Sequence, residues 1–173
     1  MSSDPRPQAS REQAQFVFDE WDRRARTLDV AGLLELYSDD AVLESPLVPR
    51  VLDRPDGVLR GKSELGQFFT EGGRRRPNEF VRWHRSGGYL WDGYTLSWEY
   101  LRATPEGDQV DISEVLELTD GRITAHRIYW GWFGTEMLIN NAVKHGEHEL
   151  TTPAMAKAAP FGGPLAERHA GPR

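Results

Sequence analysis

The stretch of sequence that decides the fold covers residues 33–46 and reads LLELYSDDAVLESP. Its first half belongs to a short helix, because Asp29 can cap a helix whose apolar face includes Tyr37. That helix is expected to end at the Ser-Asp-Asp that follows, where the β-type segment 41–45 begins. Pro46 ends the strand, because proline cannot donate a hydrogen bond to a sheet. The stretch therefore predicts a change from helix to strand within a few residues.

A longer helix precedes this stretch. Ser10 and Gln13 match a capping box, in which each side chain bonds a free backbone amide at the start of a helix. Apolar residues then recur at helical spacing, so residues 11–28 are predicted to form an amphipathic helix. Residues 1–9 are polar and are expected to be a flexible leader.

The chain after Pro46 changes from loop to helix to sheet. Residues 46–60 are expected to be a loop, and a third helix carrying Phe68 and Phe69 is expected to end at Gly72-Gly73. A final helix is predicted at 135–144. Segments rich in aromatic and β-branched residues predict strands at 80–91, 94–103, 109–119 and 122–133.

This order of elements predicts an α+β fold. Helices segregated from hairpin-connected strands pack on one side of an antiparallel sheet. A strongly twisted sheet curls around the N-terminal helices and leaves a cavity between the two layers. We expect one domain over residues 10–146, followed by a proline-containing tail over 147–173.

Composition narrows the class of function. The 173 residues include no cysteine, which excludes disulfides, thiolate metal sites and a cysteine nucleophile. A net charge of −6 argues against binding to nucleic acid or an anionic membrane. The opening residues lack the apolar run of a signal peptide, so a cytoplasmic enzyme or small-molecule binder is expected.

Two segments resemble motifs without meeting their requirements. Gly57 to Ser63 is one residue shorter than a phosphate-binding P-loop, so Gly-Lys-Ser is expected simply to open a helix. His145 and His148 have poor spacing for a helical metal site. Neither a metal nor a nucleotide cofactor is predicted.

Three stretches give the chain a resemblance to the nuclear-transport-factor-2-like superfamily, in its SnoaL-like, limonene-epoxide-hydrolase-like and ketosteroid-isomerase-like branch. They are residues 33–46, the helix from Gly61-Lys62 to Phe68-Phe69, and residues 121–130, which read GRITAHRIYW. The resemblance implies a cone-shaped fold with a strongly curved sheet. It leaves the reaction open, because this fold serves hydrolases, isomerases, dehydratases, cyclases and non-catalytic binders.

The epoxide-hydrolase branch is not matched at its catalytic positions. The strand at 94–105 resembles the one that supplies an Arg and an Asp in that branch, but Ser97 and Glu99 stand there. The second Asp of that branch falls on Ile128. The resemblance therefore argues against an epoxide hydrolase of that type.

The isomerase and dehydratase branches are matched in part. The ketosteroid-isomerase base falls on Ser45 and its tyrosine on Trp21, whereas its oxyanion-stabilising acid falls on Glu114. Glu99 also resembles the acid of a dehydratase branch, whose histidine would be His84.

Alternation along each strand separates a cavity-facing set from an outward set. The resemblance fixes the phase, so that Trp98 and Tyr100 point outward and support a homodimer through the outer face of the sheet. The residues expected to face the cavity are Leu43, Ser45, Ser97, Glu99, Leu101, Ile112, Glu114, Leu116, His126, Ile128 and Trp130.

Hairpin lengths make these phases testable. A four-residue loop at 105–108 would place Glu99 directly opposite Glu114, and two carboxyls at that distance in a dry cavity would raise one pKa. A three-residue loop at 119–121 would place His126 opposite Glu114, whereas a two-residue Asp-Gly turn would place Arg127 there. Spacing alone leaves both loops open, and the family resemblance favours His126.

These residues lead to two hypotheses. The first is a cofactor-independent acid–base enzyme, a dehydratase, isomerase or cyclase, that acts on a small, largely apolar cyclic substrate. The alternative is a non-catalytic binding or interaction module of the same fold. The predicted catalytic residues are Glu99, Glu114, His126 and His84. The predicted substrate-binding residues are Trp21, Tyr37, Leu43, Ser45, Leu101, Leu116, Ile128 and Trp130.

Overall fold

A computed structural model describes residues 8–75, 82–85, 88–103, 109–132, 134–136 and 138–139. Its helices are α1 (Arg11–Thr27), α2 (Val30–Glu35), α3 (Val48–Leu52) and α4 (Gly61–Arg75). Its strands are β1 (Tyr37–Glu44), β2 (Val58–Arg60), β3 (Arg82–Arg85), β4 (Leu90–Trp91), β5 (Thr95–Ala103), β6 (Gln109–Thr119) and β7 (Arg122–Trp130). Residues 132, 134–136 and 138–139 are also helical, and the rest of the helix predicted at 135–144 lies outside the described residues.

The N-terminal helices begin at the predicted caps. The Ser10 hydroxyl accepts from the Gln13 amide at 3.1 Å, and the Gln13 side chain accepts from the Ser10 amide at 2.7 Å. This capping box confirms the start of α1. The Asp29 carboxylate accepts from the Gly32 amide at 2.9 Å and caps α2. The buried face of α1 consists of Ala14, Val17, Phe18 and Trp21.

The first strand starts earlier than predicted. Tyr37 was expected on the face of the second helix, but it is the first residue of β1, which covers 37–44 rather than 41–45. The reason is pairing with β7, since the Ile123 amide donates to the Leu36 carbonyl at 2.8 Å and ends the helix there. β1 pairs with β7 in parallel, so the sheet is not purely antiparallel.

The segment predicted as a loop at 46–60 contains α3 and β2. A proline in the first turn of α3 favours that short helix, and β2 pairs with β1 so that Val42 lies opposite Arg60. Gly61, with a φ of 75°, then turns the chain into α4, so Gly-Lys-Ser opens a helix as predicted. Helix α4 continues past Gly72-Gly73 to Arg75.

The strands form a single curved, unclosed sheet in the order β2-β1-β7-β6-β5-β3, with β4 also paired to β5. Together with the helices, it confirms the predicted α+β class. The strand predicted at 80–91 is present in two parts, β3 and β4. Both parts pair with β5, and their registers differ by two residues. The strand predicted at 122–133 ends at Trp130.

The register of β5 against β6 differs from the predicted one by a single residue. Ala103 pairs with Gln109, and as a result Trp98 lies opposite Glu114 while Glu99 lies opposite Ser113. A shift of one residue turns every side chain of a strand to the other face. The prediction that Glu99 lies opposite Glu114 is therefore wrong.

The connection between β6 and β7 combines a tight turn with a bulge. Asp120 and Gly121 form a two-residue hairpin and both have positive φ, 51° and 74°, as a type I′ turn requires. Leu118 pairs with Ile123 but Glu117 pairs with Ala125, so Thr124 is an extra residue on β7. Beyond this bulge Ile128 lies opposite Glu114. Neither of the two predicted partners, His126 or Arg127, lies there.

The inner face, defined here as the side of the sheet that carries its buried side chains, packs against α1 and α4. On β6 it presents Ile112, Glu114, Leu116 and Leu118, and on β5 it presents Trp98 and Tyr100. Trp98 packs edge-on against Phe18 and Trp21 of α1, with ring centroids 5.4 and 5.6 Å apart. The outward orientation predicted for Trp98 and Tyr100 is therefore wrong.

Candidate functional site

Three polar side chains are buried in the described part of the chain: Ser45, Glu114 and His126. A buried carboxylate is unfavourable unless hydrogen bonds or charges compensate it, so its partners indicate what it does. Glu114 lies in the middle of β6, between Ile112 and Leu116 on an otherwise apolar stripe.

Both oxygens of Glu114 have a hydrogen-bond partner. His126 Nε2 lies 2.5 Å from Oε2, and the Tyr100 hydroxyl donates to Oε1 at 2.7 Å. His126 lies opposite Leu116, one inward-facing position away from Glu114, so the contact is diagonal across β6 and β7. Glu114 and His126 are therefore in contact, although the predicted register that placed them directly opposite each other is wrong.

The hydrogen bonds continue from His126 to the first helix. The Tyr37 hydroxyl lies 2.8 Å from His126 Nδ1, and the Trp21 indole nitrogen donates to the Tyr37 oxygen at 2.9 Å. We call Trp21, Tyr37, His126, Glu114 and Tyr100 the buried chain. It links α1, β1, β7, β6 and β5, so its geometry depends on the assembled fold.

Burial governs the chemistry of Tyr37. Its side chain is fully enclosed, and desolvation raises the pKa of the hydroxyl well above its usual value of about 10. The hydrogen bond from Trp21 lowers that pKa and the charge of Glu114 raises it, both less than burial does. Tyr37 therefore keeps its proton and serves as a hydrogen-bonding group rather than an acid.

Glu114 is one of the residues that line a pocket of about 120 Å³. A cavity of about 150 Å³ lined by apolar side chains holds a benzene molecule, so the size suits a small ring. Tyr37 and His126 lie behind Glu114 and do not line this space. The pocket is lined by Trp21, Arg24, Ala25, Leu28, Val30, Leu33, Ser45, Leu47, Phe68, Phe69, Gly72, Gly73, Tyr100, Ile112, Glu114, Ile128 and Trp130.

The outer part of the pocket lies between the ends of α1 and α4. Leu28 there is 49% exposed, and a side chain at Gly72 would meet nothing within 4 Å. Arg24 contributes a guanidinium that is already paired with Glu20 at 2.8 Å and Glu35 at 3.2 Å. Hydrogen bonds from Arg23 and Arg24 lower the pKa of Glu20 to about 2, so Glu20 stays ionised and keeps Arg24 paired.

The structure brings together part of the predicted site. Glu114, Trp21, Ser45, Ile128 and Trp130 line the pocket as expected. Other predicted wall residues are buried in the core instead of facing the pocket. These are Tyr37, Leu43 and Leu116.

Glu99 is not part of the site. It was expected to face the cavity, but the one-residue register shift leaves it exposed on the outer face of β5. His84 and Leu101 lie opposite each other in β3 and β5, and the predictions for their side chains fall outside the described part of the structure.

Tyr100 is the functional residue that sequence reasoning placed wrongly. The signal was present, because Trp98 and Tyr100 alternate with polar residues and two large aromatics on one face usually belong to a core. The resemblance to the family outweighed that pattern and reversed the phase. Phe68 and Phe69, which line the pocket from α4, were recognised as a helix face but not as its wall.

Two indole N–H groups are buried without an acceptor among the described residues. They belong to Trp98 and Trp130, and only Trp130 lines the pocket. An unpaired buried donor costs about 1–3 kcal/mol, which a ligand oxygen could recover. Trp130 lies opposite Ile112, one inward-facing position from Glu114, so the two pocket-lining residues are neighbours on the inner face of the sheet.

No group of three or more potential ligand side chains is arranged for a metal ion within the described ranges. None of the helices described by the structure has both the length and the apolar character to cross a bilayer.

Comparison with known families gives one match, to the SnoaL-like domain, over residues 15–126. This range contains α1 from Gln15 onward, the pocket-lining part of α4 and the Glu114–His126 pair. The sequence has no significant match among curated proteins.

Solved structures match at the level of the fold. A SnoaL-like protein of unknown function from Burkholderia thailandensis is 21% identical, covers 72% of this chain and 98% of its own, and has a TM-score of 0.57. An NTF2-like protein of unknown function from Mesorhizobium loti is 20% identical, covers 72% and 96%, and has a TM-score of 0.55. A provisionally assigned ketosteroid isomerase from Kribbella flavida is 15% identical, covers 69% and 78%, and has a TM-score of 0.53.

Proposed function

This chain belongs to the SnoaL-like domain family, and we propose that it is a cofactor-independent acid–base enzyme in which Glu114 moves a proton on a small cyclic substrate. The observation that carries the proposal is the position of Glu114, a buried carboxylate that lines an apolar pocket. It is the one carboxylate among the described residues that line this space.

Glu114 has the environment of a general base. Apolar walls keep water away, which strengthens electrostatic interactions with a bound substrate. Tyr100 and His126 hold the two carboxyl oxygens at 2.7 and 2.5 Å, so the group is oriented before a substrate arrives. Because His126 lies behind the carboxylate, we assign it a role that acts through Glu114.

The substrate we propose is a neutral, largely apolar ring that carries a carbonyl group. Removing a proton beside a carbonyl places negative charge on its oxygen, and a hydrogen-bond donor stabilises that charge. The unpaired N–H of Trp130 is the candidate donor. A neutral ring is favoured because Arg24 is already paired with Glu20 and Glu35.

The same first step serves three reactions. After Glu114 has taken a proton from one carbon, the return of that proton to another carbon gives isomerisation. Loss of hydroxide from the neighbouring carbon, with a proton delivered to it, gives dehydration. Attack of the enolate on a second carbonyl of the same molecule, with the proton passed from Glu114 to the resulting alkoxide, gives cyclisation.

A second candidate, a non-catalytic binder, is favoured by the aromatic character of the pocket. Five of its lining residues are aromatic, namely Trp21, Phe68, Phe69, Tyr100 and Trp130. Such walls hold a ring by apolar contact without any proton transfer. The two candidates differ in whether Glu114 exchanges protons with the bound molecule.

The test is hydrogen–deuterium exchange on a small cyclic ketone such as cyclopentanone, followed by NMR in deuterated buffer. We expect the protein to accelerate exchange beside the carbonyl, and Glu114→Gln to lower that acceleration by about 10²–10⁴-fold. Glu99→Gln is the matched control and should retain full activity, because Glu99 is exposed on the other face. Ketone binding without any acceleration of exchange would favour the binder instead.

A further inference from the structure

The hydrogen bonds of the buried chain have a definite donor and acceptor at each step, and the chemistry of Trp21 sets the first of them. An indole nitrogen can donate a hydrogen bond but cannot accept one, so the Tyr37 oxygen is the acceptor in the 2.9 Å contact. The Tyr37 hydroxyl has one hydrogen of its own to donate. Among the described residues, the other polar atom within hydrogen-bond distance is His126 Nδ1, at 2.8 Å.

The direction continues through the imidazole ring. A ring nitrogen that accepts a hydrogen bond carries no proton, so a neutral His126 has its proton on Nε2. That N–H points to Glu114 Oε2 at 2.5 Å, and the Tyr100 hydroxyl donates to Oε1. In this arrangement every donor of the buried chain has an acceptor, and both oxygens of Glu114 accept a hydrogen bond.

The opposite arrangement leaves a buried donor unpaired. If Nδ1 carried a proton, as in the other tautomer or in the imidazolium, it would donate to the Tyr37 oxygen. The Tyr37 hydroxyl would then have no acceptor among the described residues, at a cost of about 1–3 kcal/mol. Ionisation of Tyr37 does not remove this penalty, because burial raises the pKa of its hydroxyl well above the usual range.

We propose that Tyr37 is a positioning residue that holds His126 as the neutral tautomer with its proton on Nε2, and thereby keeps Glu114 as an ionised base. The role of Glu114 as a base in this inference rests on the proposed function. The inference also goes beyond that function, because it assigns different roles to two residues that could both carry a proton. Glu114 exchanges the proton, and His126 only donates a hydrogen bond to it.

The first experiment measures the tautomer directly, by ¹⁵N NMR of the histidine rings in the full-length chain near neutral pH. The His126 ring is identified by through-space contacts to Trp21, whose ring centroid lies 5.6 Å away. We expect an unprotonated Nδ1 and a protonated Nε2. A protonated Nδ1 in the unmodified protein would overturn the proposal.

The second experiment removes the hydroxyl with Tyr37→Phe, which keeps the buried ring. The substitution takes away the donor to Nδ1, so the ¹⁵N resonance of Nδ1 should move toward that of a ring nitrogen without a hydrogen bond. Tyr100→Phe is the matched control. It removes a hydroxyl from the other oxygen of Glu114, and we expect the His126 tautomer to be unchanged.

An unchanged Nδ1 resonance in Tyr37→Phe would contradict the proposal, because Tyr37 would then not donate to Nδ1. If Tyr37→Phe fails to fold, the spectrum of the unmodified chain still decides the question. In the exchange assay we expect Tyr37→Phe to lower kcat by about ten- to a hundredfold and to change KM little. A correct tautomer combined with no Glu114-dependent exchange would leave this inference standing and refute the proposed enzyme.

Discussion

The Tyr100 hydroxyl donates a hydrogen bond to Glu114 Oε1 across 2.7 Å, from β5 to the neighbouring strand β6. This contact completes the set of donors around the carboxylate, since His126 holds the other oxygen. It also joins the aromatic wall of the pocket to its carboxylate, because both residues line the same space.

We predict that Tyr100→Phe destabilises the fold by about 1–3 kcal/mol, because a buried carboxylate oxygen loses its donor. Urea unfolding near neutral pH measures the change. The matched control is Tyr129→Phe, since Tyr129 is 54% exposed and the same substitution there should stay within about 0.5 kcal/mol. Equal effects of the two substitutions would show that the Tyr100 contact contributes nothing to stability.

Trp130→Phe should weaken the binding of carbonyl compounds selectively. We expect the protein to bind cyclopentanone about five- to tenfold more tightly than methylenecyclopentane, which has the same shape and no oxygen. Trp130→Phe keeps an aromatic ring in the pocket but removes the donor, so this preference should disappear. Calorimetric titration of the two ligands measures it.

Trp98→Phe is the control for that experiment. Its indole N–H is also buried and unpaired, but Trp98 does not line the pocket. The preference for the ketone should therefore persist in this variant. If both tryptophan variants lose the preference equally, the effect comes from packing and not from a hydrogen bond to the ligand.

Stability should fall in alkaline solution because of Tyr37. Its folded pKa is raised above the unfolded value of about 10, so its contribution is complete below pH 10. Above that pH the unfolded chain loses the proton while the folded chain keeps it. Stability then falls by up to about 1.4 kcal/mol per pH unit from this group.

Denaturant unfolding on both sides of pH 10 tests this prediction. Tyr37→Phe lacks the ionisable group, so its stability should fall less steeply than that of the unmodified protein. Tyr129→Phe leaves Tyr37 in place and should retain the full slope. Parallel curves for the unmodified chain and Tyr37→Phe would mean that Tyr37 does not control the alkaline transition.

Gly72→Ala should stabilise the protein by about 0.5–1 kcal/mol, because alanine favours helix formation and a side chain at Gly72 meets nothing within 4 Å. Thermal unfolding measures the gain. At Gly73 a new Cβ would lie 2.9 Å from the end of the Leu28 side chain, so Gly73→Ala should gain less or lose stability. A larger gain at Gly73 than at Gly72 would contradict this assignment of the open end of the pocket.

A homodimer through the outer face of the sheet remains a prediction, although Trp98 and Tyr100 cannot form its contact. Among the described residues, an exposed aromatic on that face is Tyr129, two residues after Arg127, which is paired with Glu117 at 2.8 Å. We expect light scattering to give the mass of a dimer and Tyr129→Glu to give that of a monomer. A monomer in the unmodified protein, even at high concentration, would refute the prediction.

The sequence predicted the elements better than their registers. Capping at Ser10 and Asp29 depends on neighbouring residues alone, and both caps are present in the structure. The start of β1 at Tyr37 depends on pairing with Ile123, 86 positions further along the chain. No local pattern could reveal that contact.

In the candidate site too, the residues that carry the chemistry were easier to predict than the register that positions them. Glu114 and His126 were found because a carboxylate and an imidazole lie on strands with a clear apolar face. Glu99 was wrongly included and Tyr100 wrongly placed because a difference of one residue in the connection from β5 to β6 reverses the face. The volume and exit of the pocket depend on the packing of α1 against α4, which composition does not encode.

The bulge at Thr124 also bears on how such a chain can acquire new chemistry. If Thr124 paired with Glu117 instead of forming a bulge, the register set by the hairpin would continue, so that Arg127 would lie opposite Glu114 and His126 would turn to the outer face. Loss of the bulge would thus exchange an imidazole for a permanent cation beside the carboxylate, while every element kept its composition. The gain or loss of a bulge therefore gives evolution a route to a different active site that requires no substitution among the pocket-lining residues.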